Sequence, residues 1–294
     1  MHFDPAALIV LNVILACMMY GVALSLQVDD FARILRDPRA PLVGLLAQFL
    51  LLPAATCLVT WAFDVDPELA LGMMLVAACP GGTFSNIMTW IGRANVTASV
   101  SMTAVSSVAA TVLTPFNFAF YGWLNPHTRA LVTEIALDPI NILMLVVAVL
   151  AVPLGLGMLT ARHAPRFAAR AQKPMRLASL LVLVAFVAIA FTQNMDVFLE
   201  NADRIIALVV GQNALALGLG ALAGYAVHLS RADRRAVTLE VGIQNSGLAL
   251  SILFTFFPQA SGMILVAAFW GAWHLVSGLT LALIWSRSAD VEDA

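Results

Sequence analysis

Glu240 lies inside Thr238-Leu-Glu-Val-Gly-Ile-Gln-Asn-Ser-Gly-Leu, deep within an apolar stretch. Of the 17 acidic residues it alone is so placed; the others fall at the ends of apolar stretches or between them. A charge at mid-bilayer costs roughly 3 kcal/mol on insertion scales. A chain that keeps such a group commonly uses it to hold a cation or a proton. The neighbours Gly242, Gln244, Asn245, Ser246 and Gly247 are poor lipid-facing residues but suit the lining of a polar cavity. A second segment, Ala77-Ala-Cys-Pro-Gly-Gly-Thr-Phe-Ser-Asn-Ile-Met, is damaged as a helix in the same way. Pro80 removes a backbone donor and clashes with the preceding turn, and Gly81 and Gly82 add backbone freedom.

The groups on offer are oxygens: one carboxylate, amide carbonyls, hydroxyls, and carbonyls released where a helix unwinds. Ser99 and Thr103, four apart, share one helix face, and Gln48 stands mid-span. Taken singly, each such Ser or Thr has a bland reading, back-bonding to its own turn. Hard cations take oxygen ligands, and no Cys/His cluster with zinc spacing occurs. A single carboxylate suits a weakly held monovalent ion that a carrier must release. Na⁺ is therefore the first expectation and H⁺ on Glu240 the second.

These residues need a membrane around them. Hydrophobic residues make up 61% of the 294 and charged residues 11%, with a mean hydropathy of +0.92. Soluble domains are about a quarter charged, so the composition reads as an all-α integral membrane protein. Apolar runs of about 20 residues give about nine transmembrane helices, near 6–27, 41–63, 68–91, 96–123, 138–160, 177–195, 203–228, 236–257 and 262–285. The N-terminal run lacks the basic leader of a signal peptide. Of the 15 basic residues, all but Arg129 and Arg204 fall between or beyond spans on one side. By the positive-inside rule that side is cytoplasmic. The expectation is a multi-pass protein of the inner (plasma) membrane, N-terminus outside and C-terminus cytoplasmic. The net charge of −2 argues against a nucleic-acid partner. Cys17 and Cys57 read as small buried hydrophobes.

The two damaged spans enter from opposite sides. That arrangement is the mark of inverted repeats with a midplane site between two discontinuous crossing helices, fairly specific for secondary transporters; ordinary packing kinks are the bland alternative.

At these residues the chain resembles a known family. Cys79-Pro-Gly-Gly-Thr-Phe-Ser-Asn and Glu240-Val-Gly-Ile-Gln-Asn-Ser-Gly-Leu-Ala are similar to the two crossover signatures of the bile acid:sodium symporter family. Gly21-Val-Ala-Leu-Ser-Leu, Gln48 and Trp273-His-Leu-Val-Ser-Gly extend the resemblance over nearly the whole chain. It implies one transporter domain over 1–294, with a panel (about 6–27 and 138–195) and a core (about 41–123 and 203–285). It implies two sodium sites sharing Glu240. One would comprise Ser85, Asn86, Ser99, Thr103 and Glu240. The other would comprise Gln48, Glu240, Gln244 and the backbone carbonyls of Val241 and Ile243. Substrate would sit near Thr83, Asn245 and His274. The chain departs from ten-span members, which have an extra N-terminal helix, and from members with Asn where Leu275 stands, which disfavours a small polar carboxylate.

The expected function is a sodium-coupled symporter importing an organic anion, bile-acid-like or a small monocarboxylate, by alternating access, as a functional monomer with two Na⁺ as co-substrates. The alternative of related fold is a proton-driven exporter of arsenite or another anion, for which Cys79 would supply a soft ligand. An intramembrane enzyme would need paired catalytic groups, and only Glu240 and His274 are ionisable inside; no enzyme is expected.

Overall fold

A computed structural model describes residues 5–24, 35–135 and 139–289, and every regular element among them is helical. We label α1 (Pro5–Ala23), α2 (Arg39–Ala62), α3 (Pro67–Ala78), α4 (Thr83–Ile91), α5 (Val96–Leu124), α6 (Pro126–Ile135), α7 (Pro139–His163), α8 (Pro165–Gln193), α9 (Met195–Ala226), α10 (Arg231–Gly242), α11 (Ser246–Phe256) and α12 (Ser261–Ala289). Four of these, α2, α5, α9 and α12 over Ser261–Arg287, are long and apolar enough to cross a membrane. Leu42, Leu50, Trp61, Phe116, Leu156, Leu181, Leu222 and Leu283 are among many large apolar side chains left exposed. So much uncovered apolar surface calls for lipid around it.

Within the described residues the nine apolar stretches fall on helical segments, two of them broken, at 79–82 and 243–245, with three differences at the edges. α8 begins at Pro165, so much of the basic stretch taken for a loop is helical. α9 begins at Met195 rather than near 203. α6 occupies a stretch taken for a loop; Asn125 starts it by accepting from the His127 N–H at 2.9 Å. Residues 136–138 and the C-terminal residues 290–294, including the acidic tail, lie outside the described residues.

Capping explains where the central helices start. Asp66 accepts from the N–H groups of Glu68 and Leu69 with Pro67 in the first turn of α3, and Ser230 caps α10 by accepting from Asp233 N. These are the side-chain caps expected at helix N-termini. α3 is buried on every face from Leu69 to Ala78, and α11 from Ser246 to Phe254. A helix apolar all round belongs in the centre. Around them α12 packs on α3 and α9 on α10, while α1, α7 and α8 pack on one another. The approach of α9 to α10 requires Gly220: a Cβ there would stand 2.9 Å from the Thr238 Cα.

Polar ties hold the ends of the central helices. At one end Asn95 Nδ2 donates to Asp233 Oδ1 at 2.7 Å and the Asn95 N–H to Ala232 O at 3.1 Å. There Arg235 donates to Gly92 O at 3.2 Å and stacks over the Trp285 ring. At the other end Glu68 Oε2 accepts from the Gly262 N–H at 2.8 Å, closing the start of α12 onto the start of α3.

Candidate functional site

Both damaged segments break, and the breaks meet. α3 ends at Ala78 and α4 starts at Thr83; α10 ends at Gly242 and α11 starts at Ser246. Between them Gly81 and Gln244 form an isolated antiparallel bridge. Gly82 N–H donates to Ile243 O and Asn245 N–H to Pro80 O, each at 2.8 Å. Backbone freed from two helices thus finds partners in protein, as buried polar backbone must at membrane depth.

Glu240 sits on the last turn of α10 and is fully buried. Ser85 Oγ donates to its Oε2 at 2.6 Å and Thr103 Oγ1 to its Oε1 at 2.8 Å, while Ser99 Oγ is 3.3 Å from Oε2. Asn86 Oδ1 joins the group, 2.7 Å from Ser99 Oγ and 3.3 Å from Thr103 Oγ1. Thr89, which the sequence reading did not single out, stands 3.2 Å from Ser99 Oγ. Each hydroxyl has one proton, so neither Ser99 nor Thr103 can donate to Asn86 Oδ1 and to Glu240 at once. Lone pairs exceed protons in this cluster. No Lys, Arg or His is paired with Glu240 among the described residues. An uncompensated buried carboxylate is strongly unfavourable, and a cation is what a converging set of oxygens would accept. Gly81 makes the approach possible: any Cβ there would overlap the Glu240 carboxylate.

Gln48 lies beside this cluster on a π-helical turn, Ala47–Leu51, inside α2. Such turns are rare and frequent at functional sites. The turn is supported from α5, where Asn117 Nδ2 donates to Phe49 O at 2.8 Å. The Gln48 Nε2 lies 3.4 Å from both Cys79 O and Gln244 Oε1, and its own Oε1 is buried without a partner. Gln244 Nε2 in turn donates to Val241 O at 2.8 Å. The carbonyls of Val241 and Ile243 therefore each carry one protein donor, leaving one lone pair apiece.

Thr83, Asn245 and His274 line one cavity against α1, together with Gln244 and the apolar Met18, Met19, Val22 and Phe84. Asn245 also caps α11, accepting from the Leu248 N–H at 3.0 Å. His274 Nδ1 lies 2.7 Å from Trp270 O. A carbonyl only accepts, so Nδ1 carries a proton; in the neutral ring Nε2 is then the acceptor. Cys79 is fully buried within the apolar core cluster and is not among the cavity residues. The sequence reading missed the methionine wall, because apolar residues in an apolar helix carry no signal of which way they face.

Residues 12–201 match the Sodium Bile acid symporter family. An uncharacterized sodium-dependent transporter of Bacillus subtilis, YocS, is 28% identical over 286 residues, covering 97% of this chain and 85% of that protein. The human sodium/bile acid cotransporter 4 is 30% identical over 243 residues, 82% of this chain and 54% of its own length. The mouse P3 protein is 31% identical over 238 residues, 80% of this chain and 48% of its own length. The chain thus spans most of the bacterial relative but only about half of these two mammalian ones. This integral membrane protein belongs to the sodium bile acid symporter family, a family of transporters rather than enzymes.

Proposed function

We propose that the protein is a sodium-coupled symporter that imports an organic anion by alternating access. The observation that carries the reading is the fully buried Glu240 carboxylate, held by hydroxyls alone in a cluster where oxygen lone pairs exceed protons. One Na⁺ would lie among Ser85, Asn86, Ser99, Thr103 and Glu240. A second would lie among Gln48, Glu240, Gln244 and the carbonyls of Val241 and Ile243. The unpartnered Gln48 Oε1 supports that second site, since a buried acceptor is costly without a partner. The printed name of the Bacillus relative, a sodium-dependent transporter, favours sodium over protons.

One carboxylate with two Na⁺ leaves about one positive charge. An organic monoanion in the adjoining cavity brings the loaded site to neutrality, the state that crosses a low-dielectric interior at least cost. The cavity would hold the anion at the starts of α4 and α11, where helix N-termini favour negative charge. Its apolar wall of Met18, Met19 and Val22 favours an amphipathic anion over a small polar one, as does Leu275. In this reading the chain has nine spans, N-terminus outside, with inverted repeats crossing at Gly81 and Gln244. The panel of 6–27 and 138–195 rocks against the core of 41–123 and 203–285.

The test is thermal stabilisation of the purified protein in NaCl against KCl at equal ionic strength, with Glu240→Ala alongside. A ligand that binds only the folded form raises stability by mass action. The expected result is a sodium-specific, sigmoidal rise that the variant lacks. Equal stability in both salts, with a change as pH crosses the titration of Glu240, sinks sodium coupling in favour of protons.

A further inference from the structure

Three carbonyls follow Glu240 into the break, and each has its own donor. Val241 O accepts from Gln244 Nε2 and Ile243 O from the Gly82 N–H, both within the site already described. Gly242 O accepts from Asn213 Nδ2 at 2.9 Å. Asn213 comes from the middle of α9 and is buried, and its Oδ1 accepts from Ser277 Oγ of α12 at 2.6 Å. The Gly242 carbonyl, which only accepts, decides which end of the amide faces it, since reversal would set Oδ1 against Gly242 O; Ser277 Oγ, also 3.2 Å from its own-helix His274 O, holds Oδ1 in place from the other side. Ser277 lies one turn beyond His274, which lines the cavity against α1.

We infer that Asn213, oriented by Ser277, is a positioning residue for the ion site and links it to the cavity. Its bond to Gly242 O fixes the end of α10, the turn that carries Glu240. Its bond to Ser277 ties that turn to the helix that carries His274. Without the amide, Gly242 O becomes an unpaired carbonyl at membrane depth, and the last turn of α10 relaxes to find another donor. Glu240 moves with it. The neighbouring Gln212 is the natural control. It is as deeply buried on the same helix, but donates to Met73 O at 2.8 Å and Thr56 Oγ1 at 3.2 Å, away from the break.

This inference rests on the sodium reading of Glu240, and the two fail differently. The experiment is a sodium titration of the melting temperature of the purified full-length protein, with K⁺ holding ionic strength constant. The variants are Asn213→Leu, Ser277→Ala and Gln212→Met. Asn213→Leu is expected to raise the half-saturating sodium concentration about tenfold, and Ser277→Ala about threefold, as loss of one buried hydrogen bond would. Gln212→Met is expected to lower melting equally in both salts and leave half-saturation unchanged. A purely structural Asn213 would behave as Gln212 does. Unchanged half-saturation in Ser277→Ala and in any folded Asn213→Leu overturns the inference, and so does an equal rise in Gln212→Met. Should Asn213→Leu not fold, Ser277→Ala decides alone. A wild-type protein without sodium-specific stabilisation removes the sodium reading, and this inference with it.

Discussion

The break after α3 and the break after α10 share a backbone and differ in chemistry. From the Gly81 and Gln244 bridge outward, a half-turn carries the Gly82 to Ile243 hydrogen bond onto the Asn245 to Pro80 bond. Counted from the bridge, Cys79 corresponds to Gly242, and each carbonyl has a side-chain amide near it: Gln48 Nε2 is 3.4 Å from Cys79 O and Asn213 Nδ2 is 2.9 Å from Gly242 O. Counted outward from the bridge in the same way, Glu240 corresponds to Ala77, Ser85 to Leu248 and Asn86 to Ala249. Five of the six are buried and Asn86 is partly so; three bear oxygens and three are apolar. Two equivalent breaks therefore do not make two equivalent sites. The break supplies space and free backbone. On the proposed reading, the ion-binding character comes from the few side chains that only one break carries.

Six substitutions press on that difference. The largest effect is expected from Ala77→Glu, which places a carboxylate in the apolar interior at the position that corresponds to Glu240. It should cost at least about 3 kcal/mol, read as lost expression or a collapsed melting temperature; a stable variant would mean that the breaks are interchangeable. Gly81→Ala comes next, since its methyl group would overlap the Glu240 carboxylate. Half-saturating sodium should rise at least about tenfold, whereas Gly82→Ala, whose Cβ would meet Gln244 O at 3.3 Å, should change it less. Thr103→Val and Ser85→Ala each remove one hydroxyl from Glu240. Each should weaken sodium about three- to tenfold in the same titration, and an unaltered affinity in both would place the ion elsewhere. The smallest effect concerns caps: Asn245 caps α11 by its side chain while Gly82 at the start of α4 has none. Asn245→Ala should lower stability in KCl by about 1 kcal/mol, measured by thermal melting without sodium.

What was legible in the sequence follows from cost. Glu240, the Pro80–Gly82 break and Gln48 could be found because each is expensive in lipid unless it has a purpose. Their assembly with Ser85, Asn86, Ser99 and Thr103 needed the family resemblance, since single hydroxyls in apolar helices back-bond to their own turn, as Thr60 does to Thr56 O. Asn213 and Ser277 carried the same mid-span signal but stand far apart in sequence, and only the crossing of α9, α10 and α12 brings them together. The π-helical turn at Gln48 has no sequence signature. Nor has the orientation of Met18 and Met19, because lipid and protein look alike to a thioether.

Those methionines form a seam between α1 and the crossing helices. A thioether chain has three rotatable bonds and a polarisable sulfur, and it fills irregular gaps without demanding a fixed angle. Behind the seam, by contrast, α1 is fastened to its own neighbours by directional bonds, Tyr20 to Thr160 and Gln172 to Leu24 O. The thioethers of Met18 and Met19 have no proton to donate at the seam, whereas sliding behind it would break those directional bonds. The molecule is thus greased on one face of α1 and bolted on the other, and the greased face is the one that borders the cavity.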